Sequence, residues 1–267
     1  LFVRTTSVSA GPFAVSGDGP AQAKLVWAHE ELKPGSALVI GVEFSIKPGW
    51  HLYWRNPGGA GLAPNLAFDG PAGMQFGDVL WPVPLQFAQS GDVVGYGYED
   101  KVILAVPASI ASETDLTQQV EIKARWLACS ESLCVPQRKT LSVDAKQLLD
   151  HKRWKAKFSG WRDSLERDQR SSRLITAVKQ EGNLNSGVVQ LYIDFAEPSS
   201  GVEWFPGPSE ELETSNVKTS HNGHKVQVAF DVRVLDGQSS TKSYSEGLLI
   251  VKTGAGKRIG VRIQYDL

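Results

Sequence analysis

The sequence has little of what would make a site easy to find. It holds two cysteines in 267 residues, which excludes a dense disulfide framework. Its one methionine leaves almost no thioether ligands for copper. No run of about 18 apolar residues is present to span a bilayer. Neither sign of charge is in excess, with 28 Lys and Arg against 29 Asp and Glu. There is thus no overall field to hold a polyanion, which argues against generic nucleic-acid binding. A glycine-rich phosphate loop, a serine nucleophile elbow and a zinc motif are all missing. The chain opens at Leu1 without a methionine or a basic-then-apolar leader, and reads as a mature or excised segment of a longer protein.

What is present points to strands. Apolar and charged shares of 41% and 21% are ordinary for a globular chain, and the length suits two domains of roughly 100 to 200 residues each. The 26 glycines and 14 prolines punctuate aromatic and β-branched runs. Strands are expected at 24–30, 37–46, 50–54, 102–107, 120–128 and 135–143, the pattern of a β-sandwich. The stretch 56–97, rich in proline and glycine and weakly periodic, reads as a long functional or covering loop. Near Asp144, a plausible N-cap, the period changes: Trp154, Phe158, Trp161 and Leu165 recur at helical spacing and form a face for interdomain packing. Beyond a polar run at 167–172, strands are expected at 173–179, 188–195, 225–235, 248–253 and 258–265. The clearest alternates Val226, Val228, Phe230, Val232 and Val234 with polar residues. The expected fold is therefore all-β: two immunoglobulin-like sandwiches, at 1–143 and 172–267, joined by an amphipathic helical linker at 144–171.

One constellation rises above the fold. Cys129 and Cys134 are separated by four residues, Ser130 to Leu133. In the preceding strand Val120, Ile122, Ala124, Trp126 and Ala128 share one face, and Cys129 falls on the other with Arg125 and Lys123. Cys134 falls on the polar face of the following strand with Arg138 and Thr140. Both sulfurs are thus expected to point away from the core. If 130–133 is a hairpin turn, the cysteines stand opposite each other with Cα atoms about 4.5 to 5.5 Å apart, inside the range of about 4.4 to 6.8 Å that a disulfide needs. A bridge closing a six-residue ring contributes roughly 2 kcal/mol by loop entropy, less than a long-range staple. Such a pair is also open to thiolate attack. A structural staple and a redox pair both remain open on these residues. Copper(I) held by the two thiolates is a third reading, with Met74 the single thioether and no histidine nearby in sequence.

Four blocks in order carry a family resemblance: Trp50-His-Leu-Tyr-Trp-Arg-Asn-Pro-Gly-Gly, Leu80-Trp-Pro-Val-Pro, Gly95-Tyr-Gly-Tyr-Glu, and Trp126-Leu-Ala-Cys-Ser-Glu-Ser-Leu-Cys-Val-Pro. Over about residues 20–145 the chain resembles the periplasmic N-terminal region of the DsbD and ScsB thiol:disulfide interchange proteins. The second β region resembles the ScsB branch, named for suppression of copper sensitivity. The spacing of four residues between cysteines departs from the five of DsbD. The resemblance implies that Cys129 and Cys134 are a redox couple needing no cofactor and no metal. It also implies Cys134 as the sulfur that forms mixed disulfides, and a periplasmic location. The electron donor would be a thioredoxin-like domain of the same full-length protein, the recipients periplasmic thioredoxin-fold proteins, and the membrane would be met only through segments outside this chain. Such a module is a protein-disulfide reductase. The alternative is a periplasmic adaptor or copper-handling module with a structural bridge.

Other residues are weaker candidates. Tyr96 and Tyr98 could line the cysteine site or pack on a sheet. Glu131, inside the turn, would raise a cysteine pKa, whereas Arg125 and Arg138 lie about 13 Å along their strands and would do little. The Val135-Pro136 step suggests that Cys134 sits at an edge or bulge, because proline cannot donate to a ladder. His51, among aromatics, reads as a core or edge histidine with one satisfied nitrogen. His221 and His224 flank an Asn-Gly turn and read as its solvated ends.

Overall fold

The computed structural model describes residues 14–15, 19–29, 38–89, 93–149, 155–236 and 242–267. In chain order the first part holds β1 (Ala14–Val15), β2 (Ala21–His29), β3 (Leu38–Ile46), β4 (Leu52–Gly58), β5 (Asn65–Asp69) and β6 (Met74–Phe76). It continues with β7 (Leu85–Gln89), β8 (Val93–Tyr98), β9 (Lys101–Ile110), β10 (Gln119–Cys129) and β11 (Cys134–Asp144). A 3-10 helix (Ala145–Leu149) and α1 (Lys155–Ser164) follow. The second part holds β12 (Arg167–Asp168), β13 (Ile175–Asn183), β14 (Val188–Phe195), β15 (Gly201–Pro206), β16 (Leu212–Asn222), β17 (Lys225–Val234), β18 (Tyr244–Lys252) and β19 (Arg258–Asp266). The chain is all-β in class.

Three sheets make the first part, in the orders β1-β11-β10-β5, β2-β3-β9-β6 and β4-β8-β7. Alternation along β10 turns Val120, Ile122, Ala124, Trp126 and Ala128 into a core with Ile40, Val42 and Phe44 of β3 and Leu104 and Val106 of β9. Phe44 meets Trp126 edge-on at 5.2 Å. Gln137, fully buried, joins two of the sheets: its Nε2 donates to the Ala21 carbonyl, and its Oε1 accepts from the Ala21 N–H and the Trp126 indole. All of these bonds are 3.1 to 3.2 Å long, so the buried amide does not stand as an uncompensated polar cost. Gly97 lets β8 close on β4, because a Cβ there would lie 1.9 Å from the Leu52 carbonyl oxygen.

The stretch 56–97 is not an aperiodic loop. It holds β5 to β8, which are short and half exposed and so show too little alternation to be seen in the sequence. Asp144 does not cap an α-helix either; it ends β11 and accepts from the Gln147 side chain as the 3-10 turn begins. Within α1, Phe158 and Trp161 are buried against Val26, Ala28, Val39, Ile103 and Ala105. The Trp161 indole donates to the Ile103 carbonyl at 2.8 Å. The stripe therefore covers the outer face of β2, β3 and β9 rather than forming a face between the two parts; Trp154 lies outside the described residues. With the core on one face and α1 on the other, runs such as Val102-Ile-Leu-Ala-Val read as continuously apolar.

Two sheets make the second part, β13-β14-β17-β16 and β12-β19-β18-β15. Between them lie Val189, Leu191, Ile193, Val226, Val228, Phe230, Leu249 and Val251, with Trp204 stacked on Phe230 at 5.7 Å. The opposite parity of β15 and β18 sends Phe205, Leu248 and Ile250 into the first core. Phe205 stacks on Tyr96 at 4.4 Å and approaches Trp54 at 6.4 Å. The run Leu248-Leu-Ile-Val is apolar throughout because both of its faces are covered. Truncating Phe205 to alanine is expected to cost about 3–5 kcal/mol in urea unfolding, the usual range for a buried aromatic. A loss below about 1 kcal/mol would show that this ring is not part of the first core.

Candidate functional site

The β10–β11 hairpin ends in the disulfide Cys129–Cys134, with Cα atoms 4.1 Å apart. Inside it the Ser130 N–H donates to the Leu133 carbonyl at 2.8 Å, and the Ser130 hydroxyl accepts from the Leu133 N–H at 3.2 Å. The close Cα approach has a cause in the backbone. Cys129 gives both its N–H and its carbonyl to His51 on its other side, at 3.0 and 2.8 Å. Facing Cys134 it therefore forms a non-hydrogen-bonded pair, the narrow kind, whose side chains come closest.

The two cysteines are unequal. Cys134 is exposed, and beside it Leu133 at the turn tip is 57% exposed. Cys129 is only 1% exposed. The expectation that both sulfurs face outward is corrected here: strand parity puts Cys129 off the core face, yet it is buried, with His51 paired to its backbone on the side away from Cys134. Pro136 sits where the ladder does not need its missing N–H, since among the described residues β1 joins β11 at Gln137 and Arg138.

His51 brings a cluster with it. Its ring lies 4.0 Å from that of Phe87 and 5.1 Å from that of Tyr53, and its Nε2 is 3.2 Å from the Tyr53 hydroxyl. That hydroxyl accepts from Gln89 Nε2 at 2.7 Å. Burial pushes the His51 pKa down and the Tyr53 pKa up, the latter opposed by the Gln89 hydrogen bond. The sequence reads His51 as a core or edge histidine and gives no sign of its pairing with Cys129, because the bridge joins residues 78 positions apart. The only local signal is that His51 and Tyr53 share a face of one strand.

The remaining candidates lie elsewhere. Tyr96 is packed on Phe205 and Trp54, and the Tyr98 hydroxyl donates to the Pro82 carbonyl at 2.9 Å; their described partners do not include the cysteines. Glu131 is exposed in the turn. Arg125 and Arg138 face each other across the hairpin and, with Lys123, Lys139 and Thr140, line a shallow groove. Met74 pairs with Ile110 in β6 and packs against the first core. His224 Nδ1 lies 3.1 Å from the Phe195 carbonyl, and His221 is exposed near the end of β16, in a hairpin that turns at Gly223.

Residues 22–146 match the family of the N-terminal domain of the thiol:disulfide interchange protein DsbD. The N-terminal periplasmic domain of ScsB from Proteus mirabilis superposes with a TM-score of 0.71 at 18% identity, over 96% of this chain and 97% of that one. Its fold is thus shared through both parts of the chain. A structure of the manganese lipoxygenase of Gaeumannomyces graminis with part of zonadhesin of Komagataella pastoris aligns at 11% identity over 96% of this chain and 95% of that one, at a TM-score of 0.13. No curated protein matches the sequence.

The lowered His51 pKa has a consequence for stability. A folded-state value below the ordinary 6.5 means that the unfolded chain binds the proton more readily. The contribution of neutral His51 is then complete above pH 6.5 and is lost as pH falls through the folded value. Wild-type protein is expected to lose stability relative to a His51→Gln variant between pH 7.5 and 5, read from urea midpoints. Parallel midpoints at the two pH values would show that His51 does not titrate in this way.

Proposed function

We propose, starting from the fact that residues 22–146 belong to the DsbD N-terminal domain family, that Cys129 and Cys134 are the working couple of a periplasmic thiol-disulfide exchange module. The observation that carries this reading is the asymmetry of the pair, one cysteine open and one covered. A bridge serving only as a staple has no need of an open sulfur, whereas exchange needs one sulfur to meet the partner and another to resolve. A donor thiolate attacks Cys134, a mixed disulfide forms, and Cys129 leaves as a thiolate. The donor's second cysteine then releases Cys134, and the module is a dithiol. In the forward direction the Cys134 thiolate attacks a substrate disulfide, and Cys129 attacks Cys134 to free the substrate.

The donor in this reading is a thioredoxin-like domain of the same full-length protein, and the recipients are periplasmic thioredoxin-fold proteins. The module is then the protein-disulfide reductase station of a larger membrane protein. Of the residues expected to line the site, Glu131 in the turn is the one nearest the couple in sequence. The arrangement we propose for the chain is two immunoglobulin-like sandwiches, 1–143 and 172–267, joined through 144–171. The separate cores around Trp126 and Phe230 support it.

Three measurements test the reading. Incubated with a thioredoxin-like partner that lacks its own resolving cysteine, Cys129→Ser is expected to accumulate a stable covalent complex and Cys134→Ser much less; the reverse pattern would overturn the assignment of roles. Each variant should lose no more than roughly 2 kcal/mol of stability. The reduction potential of the pair should lie near those of thioredoxin-like donors, and a value well below about −300 mV would identify a structural bridge instead.

A further inference from the structure

Resting on the exchange reading, we propose that His51 is a positioning residue for it: its ring N–H holds the Cys129 sulfur as a thiolate whenever the disulfide is open. Three observations lead there. First, His51 and Cys129 exchange both backbone hydrogen bonds as an antiparallel pair. Directly opposed residues carry their side chains on the same face, with Cβ atoms about 4.5 to 5.5 Å apart, which puts the imidazole and the Cys129 sulfur on one face within reach of each other. Second, the proton on the ring is placed by a chain of donors. Gln89 Nε2 donates to the Tyr53 hydroxyl oxygen, which leaves the one Tyr53 O–H free to donate to His51 Nε2. A neutral imidazole that accepts at Nε2 carries its hydrogen on Nδ1. Third, both partners are covered, Cys129 at 1% and His51 at 8% exposure, and in such a place a hydrogen bond to an anion is strong.

The chemistry balances without a further reactant. When a partner thiolate bonds to Cys134 Sγ, the Cys129–Cys134 bond breaks and its electron pair goes to Cys129 Sγ. The Nδ1–H donates a hydrogen bond to that anion but does not give up its proton, so the thiolate remains competent to attack Cys134 Sγ and expel the partner sulfur as a thiolate. Among the described residues no imidazole is paired beside Cys134, which lies in the open. The imidazole thus fixes which sulfur leaves and which meets the partner.

The test begins on the wild-type protein. Nitrogen NMR of the His51 ring in the reduced state is expected to show the Nδ1–H tautomer, and finding the Nε2–H tautomer would overturn the proposal. Replacing His51 with phenylalanine should slow resolution of a trapped mixed disulfide about tenfold and raise the Cys129 thiol pKa, while the rate of first attack at Cys134 from the dithiol form changes little. His51→Gln, which retains an N–H donor, should recover part of the resolution rate. Unchanged resolution and an unchanged Cys129 pKa in His51→Phe would sink the idea. Should that variant fail to fold, Tyr53→Phe replaces it; it is expected to lose the tautomer preference and to slow resolution, and a wild-type rate with the preference lost would count against the proposal. The tautomer and the thiol pKa need no partner. A protein that shows both as expected, yet forms no mixed disulfide with any thioredoxin-like donor, would overturn the exchange reading and with it the role of His51, while locating the failure in the exchange.

Discussion

The pairing of His51 with Cys129 is the constraint from which the geometry of the cysteines follows. A strand residue directs its N–H and carbonyl to the same side. Once Cys129 has committed both to His51, it can face Cys134 only as a narrow, non-hydrogen-bonded pair, with the sulfurs brought together. Cys129, paired on both sides, is buried, and Cys134, next to the turn, is exposed. The narrow facing of the two cysteines is therefore a property of sheet pairing, set by a segment on the far side of the hairpin rather than by the six residues of the hairpin end.

That strand is held along its length. Leu52 and Tyr53 pair with Tyr98 and Gly97 of β8, and the glycine permits the approach. Further on, Trp54 donates to Glu166 at 2.5 Å, and Arg55 bridges Glu166, at 3.2 Å, and Glu246. Asn56 donates to the Pro206 carbonyl at 2.8 Å. The His51 end of the segment meets the disulfide, and the Asn56 end meets the second β part. A displacement at either end has to be absorbed within six residues of extended backbone.

How much of this was legible in the sequence depended on the range of the interaction. Alternation along 120–128 and 225–235 predicted β10 and β17, because a strand with one wet face writes its period into the chain. The order of Cys129, the turn and Cys134 was equally local, and so was the pairing of the two. Strands β5 to β8 escaped because segments of three to six half-exposed residues carry too few periods. Leu248-Leu-Ile-Val suggested a strand but not that its second face enters another core, since a run apolar on both sides names neither neighbour. The covering of Cys129 was invisible for a different reason: parity fixes which way a side chain points, and it says nothing about what is laid beside it.

The junction between the two parts raises the question of which force holds it. The ion pair of Arg55 with Glu166 is a poor candidate as the source of stability. Burial pushes the Glu166 pKa up, and the opposing pulls of Arg55, the Trp54 hydrogen bond and Arg262 do not restore it to its ordinary value. The folded state therefore pays a net electrostatic cost for the charged carboxylate at neutral pH, as buried pairs commonly do. Phe205, Leu248 and Ile250 are each fully covered, and burying a side chain of that size contributes about 1.5–3 kcal/mol. Three of them outweigh a pair whose own desolvation is not fully offset. The apolar residues thus supply the attraction, and the polar group supplies the alignment: a carboxylate that must meet both the Trp54 indole and the Arg55 guanidinium accepts one seating of β4, while three apolar side chains alone would tolerate sliding.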